Sequence, residues 1–320
     1  MTGSMALGVD VGSVSTNIVL VDSCGEIIHS LYLKTAGRPV EAIRHGMAEL
    51  KAALGGPPPE IAAVGATGSG RTLAGAMLGA DLVKNEISAH AVAAGRCMPG
   101  VRTVLEIGGQ DSKIIFLKDG VVRDFAMNTV CAAGTGSFLD RQAERLGIPI
   151  QEFGRRALLS TSPVAIAGRC AVFAESDMIH KQQNGHRQED IIAGLCDALV
   201  RNYLNNLVKG REISPPVVFQ GGVAANLGMV DAFRRALNLE ICVPQHHDVM
   251  GAWGAALLAA SACANNDAPS RFSGFDALKE EYSTETQRCS GCNNQCELVA
   301  FLREGRELAK WGGRCGKWTT

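Results

Sequence analysis

The chain has 320 residues, 46% hydrophobic and 20% charged, enough for a bilobal unit or two domains with sizeable cores. Its 31 basic and 32 acidic residues give a formal net charge of −1, so no basic face points to nucleic acid or anionic lipid. Its longest apolar stretch, near 250–264, is interrupted by glycines and too short to span a bilayer.

The opening MTGSMALGVDVGS lacks the basic n-region of a signal peptide, and the Gly3-Ser4 before Met5 resembles a cloning scar. The expected location is cytoplasmic, with Met5 as native start. Residues 5–22 read as strand, Gly/Ser turn and strand, and GEIIHSLYLKT adds a third strand. VEAIRHGMAELKAAL places apolar residues at helical spacing, and GGPPP closes it. IAAVGATGSGR is a short buried strand with a Gly-rich turn. VRTVLEIGGQDSKIIFLKDGVVRDFAM then repeats the opening pattern, with Asp119-Gly120 as a hairpin turn. Helices are expected over 135–147, 170–183, 188–209, 224–237 and 250–263.

Two three-stranded units roughly 95 residues apart, interleaved with helices, predict an α/β fold with a duplicated core. Lobe I is expected over 5–100 and lobe II over 101–265, around a cleft. NNDAPSRFSG reads as a polar linker, and 266–320 as an appended extension with four cysteines and little core periodicity.

Phosphate cradling needs inward backbone N–H groups and residues without bulk. One such turn is Asp10-Val11-Gly12-Ser13-Val14-Ser15-Thr16; a second is Glu106-Ile107-Gly108-Gly109-Gln110-Asp111-Ser112-Lys113. Gly221-Gly222-Val223-Ala224-Ala225-Asn226 follows a strand and opens a helix, a place for ribose and α-phosphate. Walker A is absent. In this order the three segments resemble the phosphate-1, phosphate-2 and adenosine motifs of the superfamily of actin, hexokinase and the large heat-shock chaperones. DVMGAWGAALLA resembles that superfamily's second connecting helix, where Gly251 and Gly254 permit close packing. The resemblance covers about 5–263. It implies a duplicated actin/hexokinase-like fold binding ATP or ADP. By the same resemblance Asp10 and Asp111 hold Mg²⁺, through its waters, and Gln110 orients the attacking water. The superfamily often has Asp where Glu106 stands, so the carboxylate is kept with a different reach.

Eleven cysteines in a chain expected to be cytosolic suit metal or redox chemistry better than disulfides. Cys24, Cys97, Cys196, Cys242 and Cys263 stand singly and read as buried small hydrophobes. Cys131 and Cys170 each follow or precede small residues just before a helix, where the dipole favours thiolate. Iron–sulfur cubanes normally take four thiolates, so two per chain is half a set, and a symmetric dimer supplies the rest.

The set GVDVGSVSTN, EIGGQDSK, NTVCAAGTGSFLD, AGRCAVFAESD and FQGGVAAN closely resembles the ATP-dependent activators of 2-hydroxyacyl-CoA dehydratases. That family includes the ATP-binding subunits of benzoyl-CoA reductases and the reductases of double-cubane-cluster proteins. The resemblance implies a homodimer with one [4Fe–4S] cluster bridged by Cys131 and Cys170 of both subunits. It implies ferredoxin or flavodoxin as electron donor, and a partner iron–sulfur dehydratase or reductase as acceptor. Each 59 mV on a one-electron couple is about 1.4 kcal/mol, so lowering a potential by a few hundred millivolts needs roughly 5–8 kcal/mol. Nucleotide-driven rearrangement can supply it by changing contacts at the cluster or partner.

Cys289-x-x-Cys292-x-x-x-Cys296 with a distant Cys315 suits zinc or a second cluster, and spacing alone does not choose. Without metal this tail is expected as a simple helical extension. The competing reading is a small-molecule kinase of the same fold with structural cysteines, whose nearest candidate polar site is His246-His247-Asp248.

Overall fold

The computed structural model describes residues 4–128, 131–264, 269–275 and 279–318. The elements run β1 (Met5–Val11), β2 (Ser15–Val21), β3 (Ile27–Lys34), α1 (Pro39–Ala53), β4 (Ile61–Thr67), α2 (Arg71–Leu78), β5 (Leu82–Val83) and α3 (Glu86–Cys97). They continue with β6 (Thr103–Ile107), β7 (Ser112–Lys118), β8 (Val121–Asn128), α4 (Gly136–Arg145), α5 (Ile150–Ala157), α6 (Ala171–Gln183) and α7 (Gln188–Tyr203). The last are β9 (Val217–Gln220), α8 (Leu227–Leu237), β10 (Ile241–Cys242), α9 (Met250–Cys263), β11 (Tyr282–Arg288), β12 (Glu297–Arg303) and β13 (Arg306–Trp311).

Packing groups these into two compact units, one of Met1–Ala93 with Gly251–Thr320, the other Ala94–Met250. The first unit holds a sheet of order β3-β2-β1-β4-β5, and the second one of order β10-β9-β6-β7-β8. Each sheet joins an antiparallel three-stranded meander to a parallel pair, the duplication expected from the repeated sequence pattern. The helix α9 and the C-terminal extension therefore pack with the N-terminal residues.

In the first unit Leu7, Val9, Ile18 and Leu20 alternate onto one side of the meander and are fully buried. Pro39 starts α1 without losing a bond, and Ile43, Met47 and Leu50 form its buried stripe. The helix α9 is apolar all round and correspondingly buried at Ala252, Ala255, Ala256 and Ala259. In the second unit Phe219, Phe233 and Tyr203 meet edge-on, with ring centroids 5.1 and 5.3 Å apart.

Three expectations are corrected here. The tail is not helical: β11, β12 and β13 form an antiparallel sheet whose Phe301 joins the first unit's core. Of the five single cysteines only Cys196 is buried, and burial pushes its thiol far above the ordinary range; Cys24 and Cys97 are exposed. Gly222–Ala225 is a 3₁₀ turn, so α8 begins three residues later than the expected 224. Among the described residues no helix is long and apolar enough to cross a membrane.

Candidate functional site

The first glycine-rich hairpin lies in the first unit. Asp10 stands opposite Asn17 and Val11 opposite Thr16, and the turn closes by Gly12 N–H donating to Ser15 O at 2.8 Å. Ser13 is exposed at the tip. Thr16 is fully buried, its Oγ1 2.9 Å from Thr35 Oγ1, while Thr35 also donates to Gly12 O at 2.9 Å. Thr16 thus braces the turn from behind. Gly251, at the start of α9, faces Asp10: a Cβ there would collide with the Asp10 carboxylate. The glycine expected to aid helix packing therefore makes room for this acid.

The second hairpin, in the other unit, has the same register. Glu106 stands opposite Lys113 and Ile107 opposite Ser112, and Gly108 N–H donates to Asp111 O at 3.0 Å. The backbone counterpart of Asp10 is therefore Glu106, and Asp111 occupies the place of Ser15. Lys113 is 2% exposed and donates to Glu106 Oε2 at 3.0 Å and Asp111 Oδ2 at 2.8 Å. One ammonium shared by two carboxylates leaves a formal −1 charge, a donor set suited to a hard divalent cation such as Mg²⁺. Tyr203, wholly buried, donates to Lys113 O at 2.6 Å, and burial raises its phenol well above the usual range. Gln110 is exposed at the tip.

Parallel pairing of β6 with β9 sets Glu106 level with Gln220, which brings the expected adenosine turn beside the second hairpin. Gly221 has φ +90°, and a Cβ there would lie 2.8 Å from Glu106 Oε1. His247 closes the other side, accepting from Gly221 N–H through its carbonyl at 2.7 Å, with its Nδ1 3.1 Å from Gly221 O. His247, the nearest candidate for a kinase's polar site, is thus engaged in shaping this turn. Val223 is buried, and Asn226 caps α8, its Oδ1 accepting from Met229 N–H at 3.1 Å. Capping is a role the sequence reading did not assign to Asn226.

Both cysteines of the expected cluster lie in the second unit at helix starts. Cys170 is the N-cap of α6, and Cys131 precedes a 3₁₀ turn, Ala132–Gly134, that leads into α4. Both are half-buried free thiols. Their segments adjoin, with Cys131 Sγ 4.0 Å from Arg169 O. A reciprocal pair of bonds, both 3.0 Å, ties Asn128 to the Cys131 backbone. Asn202 donates to Gly168 O at 2.6 Å, two residues before Cys170. Two free thiols at adjoining helix starts fit half of a cubane's ligand set, which is all that one chain supplies.

The cysteine segment is also joined to the second hairpin. Gly136 N–H donates to Gly108 O and Ser137 N–H to Gly109 O, both at 2.8 Å, and Ser137 Oγ donates to Gly109 O at 2.6 Å. The first turn of α4 therefore rests on the carbonyls of the phosphate-type turn. Sequence reading missed Lys113, Asn128 and Asn202. Lys113 and Asn128 left a signal, since one ends the quoted EIGGQDSK segment and the other opens NTVCAAGTGSFLD.

Among the described residues no group of three or more His, Cys, Asp or Glu side chains is arranged to hold a metal ion. Cys289 is buried, Cys296 half-buried, and Cys292 and Cys315 exposed.

Comparison with known proteins agrees with this layout. The chain is 35% identical over 253 residues to the (R)-2-hydroxyglutaryl-CoA dehydratase activating ATPase of Acidaminococcus fermentans, covering 79% of this chain and 96% of that one. The structure of the activator of the 2-hydroxyisocaproyl-CoA dehydratase from Clostridium difficile, with bound ADPNP, superposes with a TM-score of 0.75 at 33% identity, covering 82% and 96%. A ROK family glucokinase from Streptomyces griseus, at 16% identity and a TM-score of 0.50 over 81% of this chain and all of that one, shares the fold alone. The architecture is thus the actin/hexokinase-like ATPase fold. Residues 7–259 match one family from end to end of the nucleotide and cysteine segments, and the chain belongs to the BadF/BadG/BcrA/BcrD ATPase family.

Proposed function

We propose that this protein is an ATP-dependent, low-potential electron donor that activates a partner iron–sulfur enzyme of the 2-hydroxyacyl-CoA dehydratase or double-cubane-cluster class. The observation that carries the reading is the backbone seam between the Gly108-Gly109 turn and the first turn of α4, downstream of Cys131. It gives a direct mechanical route between a nucleotide phosphate and a thiol ligand.

In this reading Gly12, Ser13, Ser15, Gly108, Gly109 and Gln110 meet the phosphates, while Gly221, Gly222, Val223 and Asn226 border the nucleoside. Thr16 supports its turn from the buried side. Asp10 and Asp111 are the Mg²⁺ carboxylates, acting through water. Lys113 fixes Asp111 and Glu106, and Gln110 orients the attacking water.

Cys131 and Cys170 would hold the [4Fe–4S] cluster together with the same two residues of a second copy, and the cluster when bound supplies a one-electron carrier. Val172 and Phe173, two and three residues after Cys170 and 69% and 66% exposed, support a homodimer around it. Asn128 and Asn202 hold the thiol-bearing segments in place. One electron enters from ferredoxin or flavodoxin, and hydrolysis commits its passage to the acceptor. A CoA-thioester dehydratase relative makes that acceptor class the first to test.

Anaerobic purification tests this directly. Iron and sulfide near four per dimer are expected. Cys131→Ser and Cys170→Ser should each abolish that iron while leaving nucleotide affinity within about twofold. A colourless, iron-free protein after anaerobic reconstitution overturns the proposal.

A further inference from the structure

From the cysteine spacing and the course of the backbone we propose a tetrathiolate zinc site at the outer end of the C-terminal sheet, formed by Cys289, Cys292, Cys296 and Cys315. These residues lie outside the segment matched to the ATPase family, which ends at 259.

The sheet meets the first unit through β12, β13 and the start of β11. Tyr282 stacks on Phe301 with ring centroids 5.3 Å apart, and Arg44 of α1 lies 5.3 Å over Tyr282 and donates to Glu280 O. Phe301, Tyr282 and Trp311 reach the first unit's core there. From Ser283 to Arg288, by contrast, every residue of β11 is exposed. A strand so exposed, in a sheet of this size, gains from a staple at its outer end.

The backbone carries all four cysteines to that end. The β11–β12 ladder finishes at Arg288 opposite Glu297, and Cys289 N–H donates to Cys296 O at 2.8 Å. These two cysteines therefore extend the ladder as its next opposed pair. Cys292 sits in the loop they close, where Gln295 N–H donates to Cys292 O at 3.2 Å. Trp311 of β13 pairs with Val299, and Gly312 presses so closely on Glu297 O that a Cβ would collide. The chain beyond β13 thus leaves beside the same loop. It then folds back, with Lys310 Nζ 5.4 Å over the Trp318 ring, and Cys315 lies within that return.

Cys289 Sγ accepts Gly291 N–H at 3.3 Å, a backbone donor inside the Cys-x-x-Cys turn. The four side chains do not yet converge in the structure. Four thiolates on one Zn²⁺ carry a net −2 charge, and Arg288, Arg314 and Lys317 neighbour them in sequence. A closed four-sulfur site is the structural type, and zinc outranks ferrous iron for it.

The test uses the full chain purified under reducing, anaerobic conditions, with zinc and then cobalt as probes. About one zinc per chain is expected, retained in the Cys131→Ser/Cys170→Ser double variant and lost in Cys289→Ser and in Cys296→Ser. Cobalt exchange into wild-type protein should give the intense visible bands of a tetrahedral thiolate complex. Stripping the metal should speed protease cleavage within 279–318 at least tenfold, with nucleotide affinity unchanged. The cobalt and stripping measurements need no variant, so they decide the matter if the serine variants misfold. Zinc-free protein with four freely reactive tail thiols overturns the inference. So does a tail disulfide, or iron retained by the double variant.

Discussion

The two glycine-rich hairpins share a backbone and differ in charge. Asp10 opposite Asn17 and Glu106 opposite Lys113 are the same ladder position in the two units. The turns close by the same bond, Gly12 to Ser15 and Gly108 to Asp111. In the first hairpin one carboxylate faces a cross-strand amide, and Gly251 makes room for it. In the second a buried lysine holds two carboxylates. Duplication kept the cradle and let the electrostatics diverge. The second hairpin is thereby built to be rigid, which suits the one that touches α4.

The largest expected effect comes from Lys113→Met, which strands Glu106 and Asp111 without their cation. It should cost about 3–5 kcal/mol, read as a lower denaturation midpoint, whereas Asn17→Leu should cost about 1 kcal/mol. Equal losses would mean that the lysine is not what distinguishes the hairpins. Next, Asp10→Asn and Asp111→Asn should each lower steady-state ATPase kcat by roughly 10²-fold. An Asp111→Asn enzyme with full activity would assign the metal to the first hairpin alone. Gln110→Ala should lower kcat about tenfold at constant KM, without altering stability, since its side chain is exposed. Smallest is Tyr203→Phe, which deletes the bond to Lys113 O and should cost about 1 kcal/mol. A neutral result there would show that Lys113 needs no support from behind.

Much of this was readable in the chain. Alternating apolar runs around Gly12 and Gly108 predicted both meanders, and small residues before α4 and α6 predicted helix-start cysteines. What escaped was cross-strand and long-range. Lys113 looks like a solvated strand end until pairing sets it against Glu106. Asn202 acts on backbone 34 residues from itself in sequence, and Asn128, only three residues before Cys131, bonds that residue's main chain in a loop whose shape periodicity does not reveal. The tail shows the opposite failure. ELVAFLREGRELAKW alternates around a Glu-Gly turn, as β12 and β13 do, but the nearby cysteines drew attention away from that local signal. Cys24 and Cys97 were misjudged because composition does not reveal which face of an element meets solvent.

The seam between Gly108-Gly109 and α4 has an evolutionary consequence. Two of its three bonds run from main chain to main chain, and the third needs only a serine hydroxyl. The connection therefore depends little on side-chain chemistry, although Gly136 must stay small, since a Cβ there would lie 3.0 Å from Gly108 O. Point mutation can retune the ligand at either end, while an insertion, a deletion, a proline at Gly136 or Ser137, or a bulky side chain at Gly136 would cut the join.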